Sequence, residues 1–251
     1  MNFNNCKLID NVYHNELCTI TNKFEQQYLA ARLKEGRVYS DEILKSLPDI
    51  DVNHPLFNEW ILRKESAQRM LKYCRNKKIK NILEVGAGNG WLSSLLASIP
   101  TLEIVGVDVN LGELRQAAKV FQKSNLFFLY DEFSLPEFLD QKFDIIFFAA
   151  SIQYFPSFKE VINLGLSRLS ENGEIHIFDT NFYTGSTVNT ARQKTINYYS
   201  SLGFPSMADN YFHHCIENIR YFNYKVLYDP SSLYNKFSGN KNPFRWICIK
   251  K

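Results

Sequence analysis

The stretch ILEVGAGNGWLS, residues 82–93, constrains the fold of this chain more than any other. Its apolar start, Ile82–Val85, predicts a buried strand, and the residues from Trp91 onward have the apolar spacing of a helix. Between them stand three glycines at alternate positions, Gly86, Gly88 and Gly90. Glycines allow a tight turn and a close approach of a ligand to the main chain. The first amides of the following helix are free to donate hydrogen bonds. The stretch therefore predicts a ligand-binding strand–loop–helix unit.

Acidic side chains flank this loop. A second apolar run ends in Asp108, 18 residues after Gly90, where a carboxylate can accept hydrogen bonds from both hydroxyls of a ribose. Glu84 lies near the end of the first strand, where a carboxylate can meet an ammonium group. Trp91 occupies the position of the third glycine in the dinucleotide-binding pattern Gly-x-Gly-x-x-Gly, which argues against a nicotinamide cofactor.

With these residues the chain resembles the class I S-adenosylmethionine-dependent methyltransferases. Residues 84–90 are similar to the first motif of that family, and Asp108 to its ribose-binding acid. Residues 130–136, followed by 143–146, resemble the adenine-side loop and the fourth strand. Residues 151–156 resemble the segment after that strand. The resemblance covers roughly residues 55–180, and it implies the activity class EC 2.1.1.-.

From Asn81 onward, strands and helices alternate, which predicts a parallel sheet with helices on both faces. The expected fold is α/β, a Rossmann-like three-layer sandwich. The family resemblance implies seven strands in the order 3-2-1-4-5-7-6, with the last strand antiparallel. The strands that we predict are Asn81–Val85, Glu103–Asp108, Leu126–Tyr130, Phe143–Ala149, Gly173–Asp179, Tyr221–Tyr228 and Phe244–Lys250. The helices that we predict are Asn22–Arg37, Pro55–Asn76, Gly90–Ser98, Leu111–Lys123 and Phe158–Leu169.

The chain divides into two expected parts. Residues 1–54 form an N-terminal helical extension or lid, and residues 55–251 form the methyltransferase domain. Within this domain, residues 181–220 are longer than one connecting helix requires, and they predict a lid over the substrate.

The resemblance assigns cofactor-binding roles at the carboxyl ends of the strands. Glu84 would hold the amino acid end of S-adenosylmethionine, Asp108 the ribose and Asp131 the adenine amine. The same site would release the product S-adenosylhomocysteine. The full predicted cofactor set is Glu84, Gly86, Ala87, Gly88, Asn89, Gly90, Asp108, Val109, Asp131, Glu132, Phe133, Ala149, Ala150 and Ser151.

Methyl transfer from a sulfonium ion is a direct displacement that depends mostly on proximity and alignment. An O-methyl acceptor would also need a general base. The candidates are His213, His214 and Tyr154, although an adjacent histidine pair in an aromatic segment more often serves packing. His176 is expected within a strand, facing a helix interface. The predicted substrate-binding residues are Trp60, Tyr183, Arg192 and Tyr211.

Composition narrows the range of partners. A net charge of +3 is too small to favour nucleic acid or an acidic membrane surface. Residues 150–154 also lack the prolines of the Asn/Asp-Pro-Pro-aromatic motif that marks many DNA amine methyltransferases. We therefore expect a small-molecule acceptor, no nucleic acid and no membrane association, and a homodimer is compatible with the sequence. The five cysteines have no metal-binding or disulfide spacing, so we expect no metal and a cytoplasmic location.

Two alternative functions are compatible with the same glycine loop. The chain could be a non-catalytic scaffold that retains the fold and binds S-adenosylmethionine. It could also be a NAD(P)-dependent oxidoreductase, which the position of Trp91 disfavours.

Overall fold

A computed structural model describes residue 3 and residues 6–15, 22–133, 141–233, 235 and 242–251. Its centre is a nine-stranded sheet in the order β1-β2-β5-β4-β3-β6-β7-β9-β8. Strand β9 is antiparallel to both β7 and β8, whereas the five strands β5, β4, β3, β6 and β7 run parallel to one another. The strands are β1 Cys6–Ile9, β2 Val12–Asn15, β3 Asn81–Val85, β4 Glu103–Asp108, β5 Leu126–Tyr130, β6 Phe143–Ala149, β7 Leu169–Phe178, β8 Tyr224–Tyr228 and β9 Trp246–Lys250.

Seven of these strands, β5-β4-β3-β6-β7-β9-β8, have the predicted order 3-2-1-4-5-7-6 with the last strand reversed. The predicted strand count of seven is wrong, because β1 and β2 extend the sheet beyond β5. The expected helical character of the N-terminal extension is accordingly wrong for residues 6–15, which form an antiparallel pair.

This pair forms because the sheet offers it an open edge. Asp10 and Asn11 turn the chain with positive φ angles of 52° and 60°, which suit a tight hairpin. Strand β2 then pairs in parallel with β5, and the ring of Tyr13 stacks on Phe3 with centroids 3.8 Å apart. Strands of four residues carry too little alternation to be recognised from sequence.

The helices pack on both faces of the sheet, as predicted. They are α1 Asn22–Lys34, α2 Asp41–Ser46, α3 Phe57–Arg75, α4 Trp91–Leu96, α5 Leu111–Val120, α6 Phe158–Arg168 and α7 Val188–Leu202. Side chains cap three of their first turns: Ser40 accepts from Ile43 N, Asn110 from Glu113 N and Ser157 from Glu160 N. Among the helices that the structure describes, none is long and apolar enough to cross a membrane.

Strand β6 lies at the centre of the core. Ile145 and Phe147 pack into the apolar cluster on one face of the sheet, and Ile146 and Phe148 into the cluster on the other. All four side chains are fully buried, as a central parallel strand requires. His176 of β7 is also fully buried, and its ring contacts that of Tyr73 on α3, as predicted.

Helices α1 and α7 meet above the carboxyl ends of the strands. Lys34 Nζ donates to the carbonyl oxygen of Leu202 at 2.7 Å, and Tyr198 OH donates to Glu35 Oε1 at 2.6 Å. The insert 181–220 continues from α7 through two 3₁₀ turns, Pro205–Asn210 and Ile216–Tyr221. The N-terminal extension and the insert are therefore in direct contact.

Candidate active site

The glycine loop between β3 and α4 has left-handed backbone angles at all three glycines, with φ of 78°, 52° and 71°. At Gly86, a Cβ atom would lie 2.4 Å from the Cβ of Ser151, so glycine allows the segment after β6 to cross the loop. At Gly90, a Cβ atom would lie 2.6 Å from the ring of Phe128. Gly90 therefore serves the packing of α4 against β5, and it does not line the main cavity.

Asp108 faces this loop from the end of β4. Its Oδ2 accepts from Gly88 N at 2.7 Å and its Oδ1 from Asn110 N at 2.8 Å. Burial raises the pKa of the Asp108 carboxyl, and the hydrogen bonds from backbone amides oppose that rise. The loop and the acid are thus fixed relative to each other before any ligand binds.

Glu84 is buried beneath the loop, with 3% of its surface exposed. Its Oε2 accepts from Ser93 Oγ at 2.5 Å, and no cation of the described part of the chain acts on it. Burial raises the pKa of Glu84 to about 8. A buried carboxyl without a cationic partner fits a ligand that brings its own ammonium group.

Asp131 stands at the end of β5 and is almost fully buried. Its Oδ1 accepts from Phe133 N at 2.8 Å, and its Oδ2 accepts from Asn15 Nδ2 at 2.5 Å. Strand β2 therefore contributes a side chain beside the predicted adenine site, which the sequence did not indicate. The rest of the predicted adenine-side motif, Ser134–Pro136, lies outside the described residues.

One cavity of about 1040 Å³ connects these groups to the helices above them. Every predicted cofactor residue except Gly90 lines it, and so do Tyr154, Trp60 and Tyr211. Three residues on its wall, Phe133, Ala150 and Asp179, are not glycine but have φ of 53° to 56°. Each of the three lies just beyond the carboxyl end of a strand. Such backbone strain concentrates at functional sites.

The predicted histidines lie elsewhere. His213 Nε2 is 2.9 Å from Thr195 Oγ1, and His214 Nε2 is 3.0 Å from the carbonyl oxygen of Ile152. Neither lines the main cavity; both line a second cavity of about 730 Å³, together with Arg192. Tyr183 contacts the ring of His213 and is absent from the lining of either cavity. The location of these residues in the insert was therefore not enough to predict which of its side chains line the cavity with the glycine loop.

The model of a family described as a methyltransferase domain matches residues 76–221, more than half of the chain. The chain belongs to this methyltransferase family. Its cofactor is S-adenosylmethionine, and the buried Glu84, the loop-facing Asp108 and the glycine cradle fit that cofactor. A search among curated proteins gave no match.

Several solved structures share the fold. The plantazolicin methyltransferase BpumL, in complex with a pentazolic analogue and SAH, is 16% identical with a TM-score of 0.54, over 92% of this chain and 100% of that one. YcgJ from Bacillus subtilis is 16% identical with a TM-score of 0.54, over 75% and 98%. An O-methyltransferase family protein from Burkholderia thailandensis is 12% identical with a TM-score of 0.53, over 90% and 70%. At these identities the likeness concerns the fold alone.

The methyltransferase cavity has a second wall, built from α1 and the residues that follow it, α3 and α7. Arg37 donates two hydrogen bonds of 2.6 Å to Glu59, and Arg63 Nε donates a third of 2.9 Å. Burial would raise the pKa of Glu59, but the two arginines hold it at about 2. Glu59 and Arg63 are four residues apart on α3, the spacing at which side chains of one helix can pair.

Arg32 of α1 is a further side chain of this wall. Its guanidinium lies 5.5 Å from the ring of Tyr28 and 3.6 Å from Glu35, and its Nε has no hydrogen-bond partner within the described residues. Aromatic side chains also line this wall, with Tyr154 against Tyr28 and Tyr211. Burial raises the pKa of each of these three phenols, so all three stay protonated at neutral pH.

A cluster of possible metal ligands lies away from this cavity. Glu174, His176 and Cys248 place one ligand atom each within 4.8 Å of one another. Trp246 Nε1, however, donates to His176 Nδ1 at 3.0 Å. The neutral imidazole then carries its proton on Nε2, which lies 3.4 Å from Glu174 Oε2 and has no lone pair for a metal. Lys77 and Lys250 also contact Glu174, and their charges disfavour a cation there. This geometry fits a hydrogen-bonded network between the sheet and α3.

Proposed function

We propose that this methyltransferase transfers the methyl group of S-adenosylmethionine to a small molecule held between the glycine loop and the wall of α1, α3 and α7. The observation that carries this proposal is the single cavity of about 1040 Å³ that spans both. Ligand pockets usually measure about 300–1,000 Å³, so this cavity lies at the upper end of that range, which suits a cofactor with a small acceptor beside it.

The residues on the loop side have distinct roles in this proposal. Glu84 pairs with the ammonium group of the cofactor, and Asp108, fixed by Gly88 N and Asn110 N, accepts from the ribose hydroxyls. Asp131 and Phe133 border the adenine, and residues 149–151 border the sulfonium. When bound, the cofactor supplies an electrophilic methyl carbon. The protein then aligns the acceptor with that carbon and keeps water out.

The N-terminal extension and the insert form the cover of the site in this proposal. Helices α1 and α7 carry Arg32, Tyr28 and Tyr199 on the cavity wall and contact each other through Lys34 and Tyr198. A site covered from both sides suits a small acceptor better than a folded macromolecule.

Calorimetry with S-adenosylhomocysteine tests the cofactor site, because this product cannot be consumed during the titration. We expect one-to-one binding with micromolar affinity and no signal with NAD. Asp108→Ala should weaken binding roughly 10–100-fold, since hydrogen bonds to a charged group contribute about 1.5–3 kcal/mol. Binding of NAD in place of S-adenosylhomocysteine would move the assignment to an oxidoreductase, and unchanged affinity in Asp108→Ala would remove Asp108 from the site.

A non-catalytic scaffold remains the second candidate, favoured by one observation. None of the described residues that line the main cavity is a histidine. Conversion of S-adenosylmethionine to S-adenosylhomocysteine in the presence of any acceptor would reject the scaffold.

A further inference from the structure

Asp179 lies on the side of the cavity where an acceptor would enter. It is the first residue after β7, and Ala150 N donates to the carbonyl oxygen of Phe178 at 3.0 Å. Strand β7 borders β6 on one side, and β3, which leads into the glycine loop, borders β6 on the other. Residues 149–151 therefore separate Asp179 from the glycine loop. If the sulfonium lies against residues 149–151, Asp179 faces it from the acceptor side.

A polar chain from two distant elements positions the Asp179 carboxylate. Ser66 Oγ donates to Asp179 Oδ1 at 2.5 Å, and Asn242 Nδ2 donates to Ser66 Oγ at 2.9 Å. Since Asn242 supplies a hydrogen to this oxygen, the single hydroxyl hydrogen of Ser66 is directed to Asp179. Asp179 is 91% buried yet lines the cavity, and its Oδ2 accepts no hydrogen bond from the described residues. The geometry leaves one carboxylate oxygen for a ligand.

The surroundings of this carboxylate suit an organic cation. The cavity wall presents the rings of Tyr28, Tyr154, Tyr211 and Trp60, and aromatic faces attract cations. Two arginines act electrostatically on Asp179, and both are paired with other carboxylates: Arg63 with Glu59 and Arg69 with Glu65. A buried carboxylate with a free oxygen, in a cavity that also has aromatic walls, fits an ammonium group.

We propose that Asp179 binds the amino group of the acceptor and takes its proton before methyl transfer, so that the acceptor is an amine. This inference rests on the proposed methyltransferase function and deepens it. The proton passes from the acceptor ammonium to Asp179 Oδ2, which leaves a lone pair on nitrogen. That lone pair forms the N–CH₃ bond while the S–CH₃ bond breaks and its electrons return to sulfur. The products are a methylated ammonium ion, the neutral thioether S-adenosylhomocysteine and a protonated Asp179, which returns its proton to water.

The acidity of Asp179 matches a weakly basic amine, such as an α-amino group, better than a phenol. Burial raises its pKa to about 6, with Arg63, Ser66 and Arg69 lowering it and Glu59 raising it. An α-amino group has a pKa of about 8, so the proton moves across about two units, whereas a phenol or a lysine-type amine, each at about 10, lies about four units away. A base whose pKa lies near the working pH is the effective one.

Sinefungin tests this inference without knowledge of the acceptor. It is an analogue of S-adenosylmethionine in which a carbon bearing an amino group replaces the methylated sulfur, so its ammonium occupies the place of the reacting groups. We would measure the affinities of sinefungin and S-adenosylhomocysteine by calorimetry for the wild type, Asp179→Asn and the exposed control Asp49→Asn. We expect Asp179→Asn to weaken sinefungin binding roughly tenfold and to leave S-adenosylhomocysteine unchanged. The control should alter neither.

The wild type alone provides a second measurement. The affinity for sinefungin relative to S-adenosylhomocysteine should fall as the pH drops from 7 to 5, because Asp179 becomes protonated. This readout holds even if Asp179→Asn fails to fold. The assignment of Asp179 would be overturned if the ratio of the two affinities, sinefungin to S-adenosylhomocysteine, were equal in wild type and Asp179→Asn. It would also be overturned if this ratio did not change with pH. Neither result would affect the assignment of the cofactor site. Loss of S-adenosylhomocysteine binding in the wild type would instead refute the proposed function.

Discussion

Glu84 shows how one buried carboxyl can couple cofactor binding to pH. Burial raises its pKa to about 8, above the ordinary value of about 4.3, so Glu84 is protonated at pH 7 when no cation faces it. An ammonium group favours the ionised form, and the proton must leave when the ligand binds. We therefore expect S-adenosylhomocysteine binding at pH 7 to release close to one proton, and its affinity to rise as the pH increases towards 8.

Titrations in two buffers with different ionisation enthalpies measure this release directly. Glu84→Gln serves as the matched variant, because it keeps the shape and the contact with Ser93 but cannot ionise. We expect it to release no proton from this site and to bind roughly 10–100-fold more weakly. Identical heats for the wild type in both buffers would show that Glu84 does not meet the ammonium group.

Residues whose positions follow from the local chain pattern could be predicted from the sequence. The placement of Glu84 and Asp108 near the loop needed only a strand, a glycine turn and the next strand. Asp179 also follows a strand, but its significance depends on Ser66, 113 residues earlier in the chain. Which cavity the side chains of His213 and His214 line depends on how the insert packs, and no periodic pattern in the sequence predicts that packing.

At the scale of secondary-structure elements, α1 and α7 both carry residues of the cavity wall and contact each other. The hydrogen bond from Tyr198 OH to Glu35 Oε1 is solvent-exposed and joins the two helices. Tyr198→Phe removes this bond and keeps the ring. A typical net hydrogen bond contributes about 0.5–1.5 kcal/mol, so we expect bound S-adenosylhomocysteine to dissociate roughly two- to tenfold faster. Stopped-flow displacement measures this rate.

Tyr221→Phe is the control for this experiment, since Tyr221 is 79% exposed and lies outside the main cavity. It should leave the dissociation rate unchanged. Equal rates in wild type and Tyr198→Phe would mean that the contact between α1 and α7 does not limit the exit of the product.

Element prediction from sequence succeeded where the pattern was long and failed where it was short. The strands from β3 to β6 were predicted with the bounds that the structure gives them. Strand β7 begins at Leu169, earlier than the predicted Gly173, because its first residues extend from α6 without a break. The hairpin of β1 and β2 has its place only because β5 presents an open edge, and that edge exists only in the folded sheet.

At the scale of the whole molecule, the order of the seven family strands followed from resemblance and the alternation of strands and helices. Right-handed crossovers allow few other arrangements of such a chain. What the sequence could not supply was the polar network between the sheet and α3, since its members are spread from Tyr73 to Lys250. Tyr73 OH and Lys77 Nζ both donate to Glu174 Oε2, at 2.6 and 2.7 Å.

This network predicts how the stability of the methyltransferase depends on acid. Burial alone would raise the pKa of Glu174, but His176, Lys77 and Tyr73 outweigh it and hold the pKa well below its ordinary value. The ionised Glu174 therefore stabilises the fold above its unfolded-state pKa of about 4.3, and this contribution is lost as the pH falls below that value.

Glu174→Gln should lower the free energy of unfolding by about 1–3 kcal/mol at pH 7. We would measure the free energy of unfolding by urea denaturation at pH 7 and at pH 3. The difference between Glu174→Gln and the wild type should be smaller at pH 3. The exposed Asp49→Asn should change stability by less than about 1 kcal/mol at both. A Glu174→Gln difference that is equal at the two pH values would mean that packing, and not the charge of Glu174, accounts for its contribution.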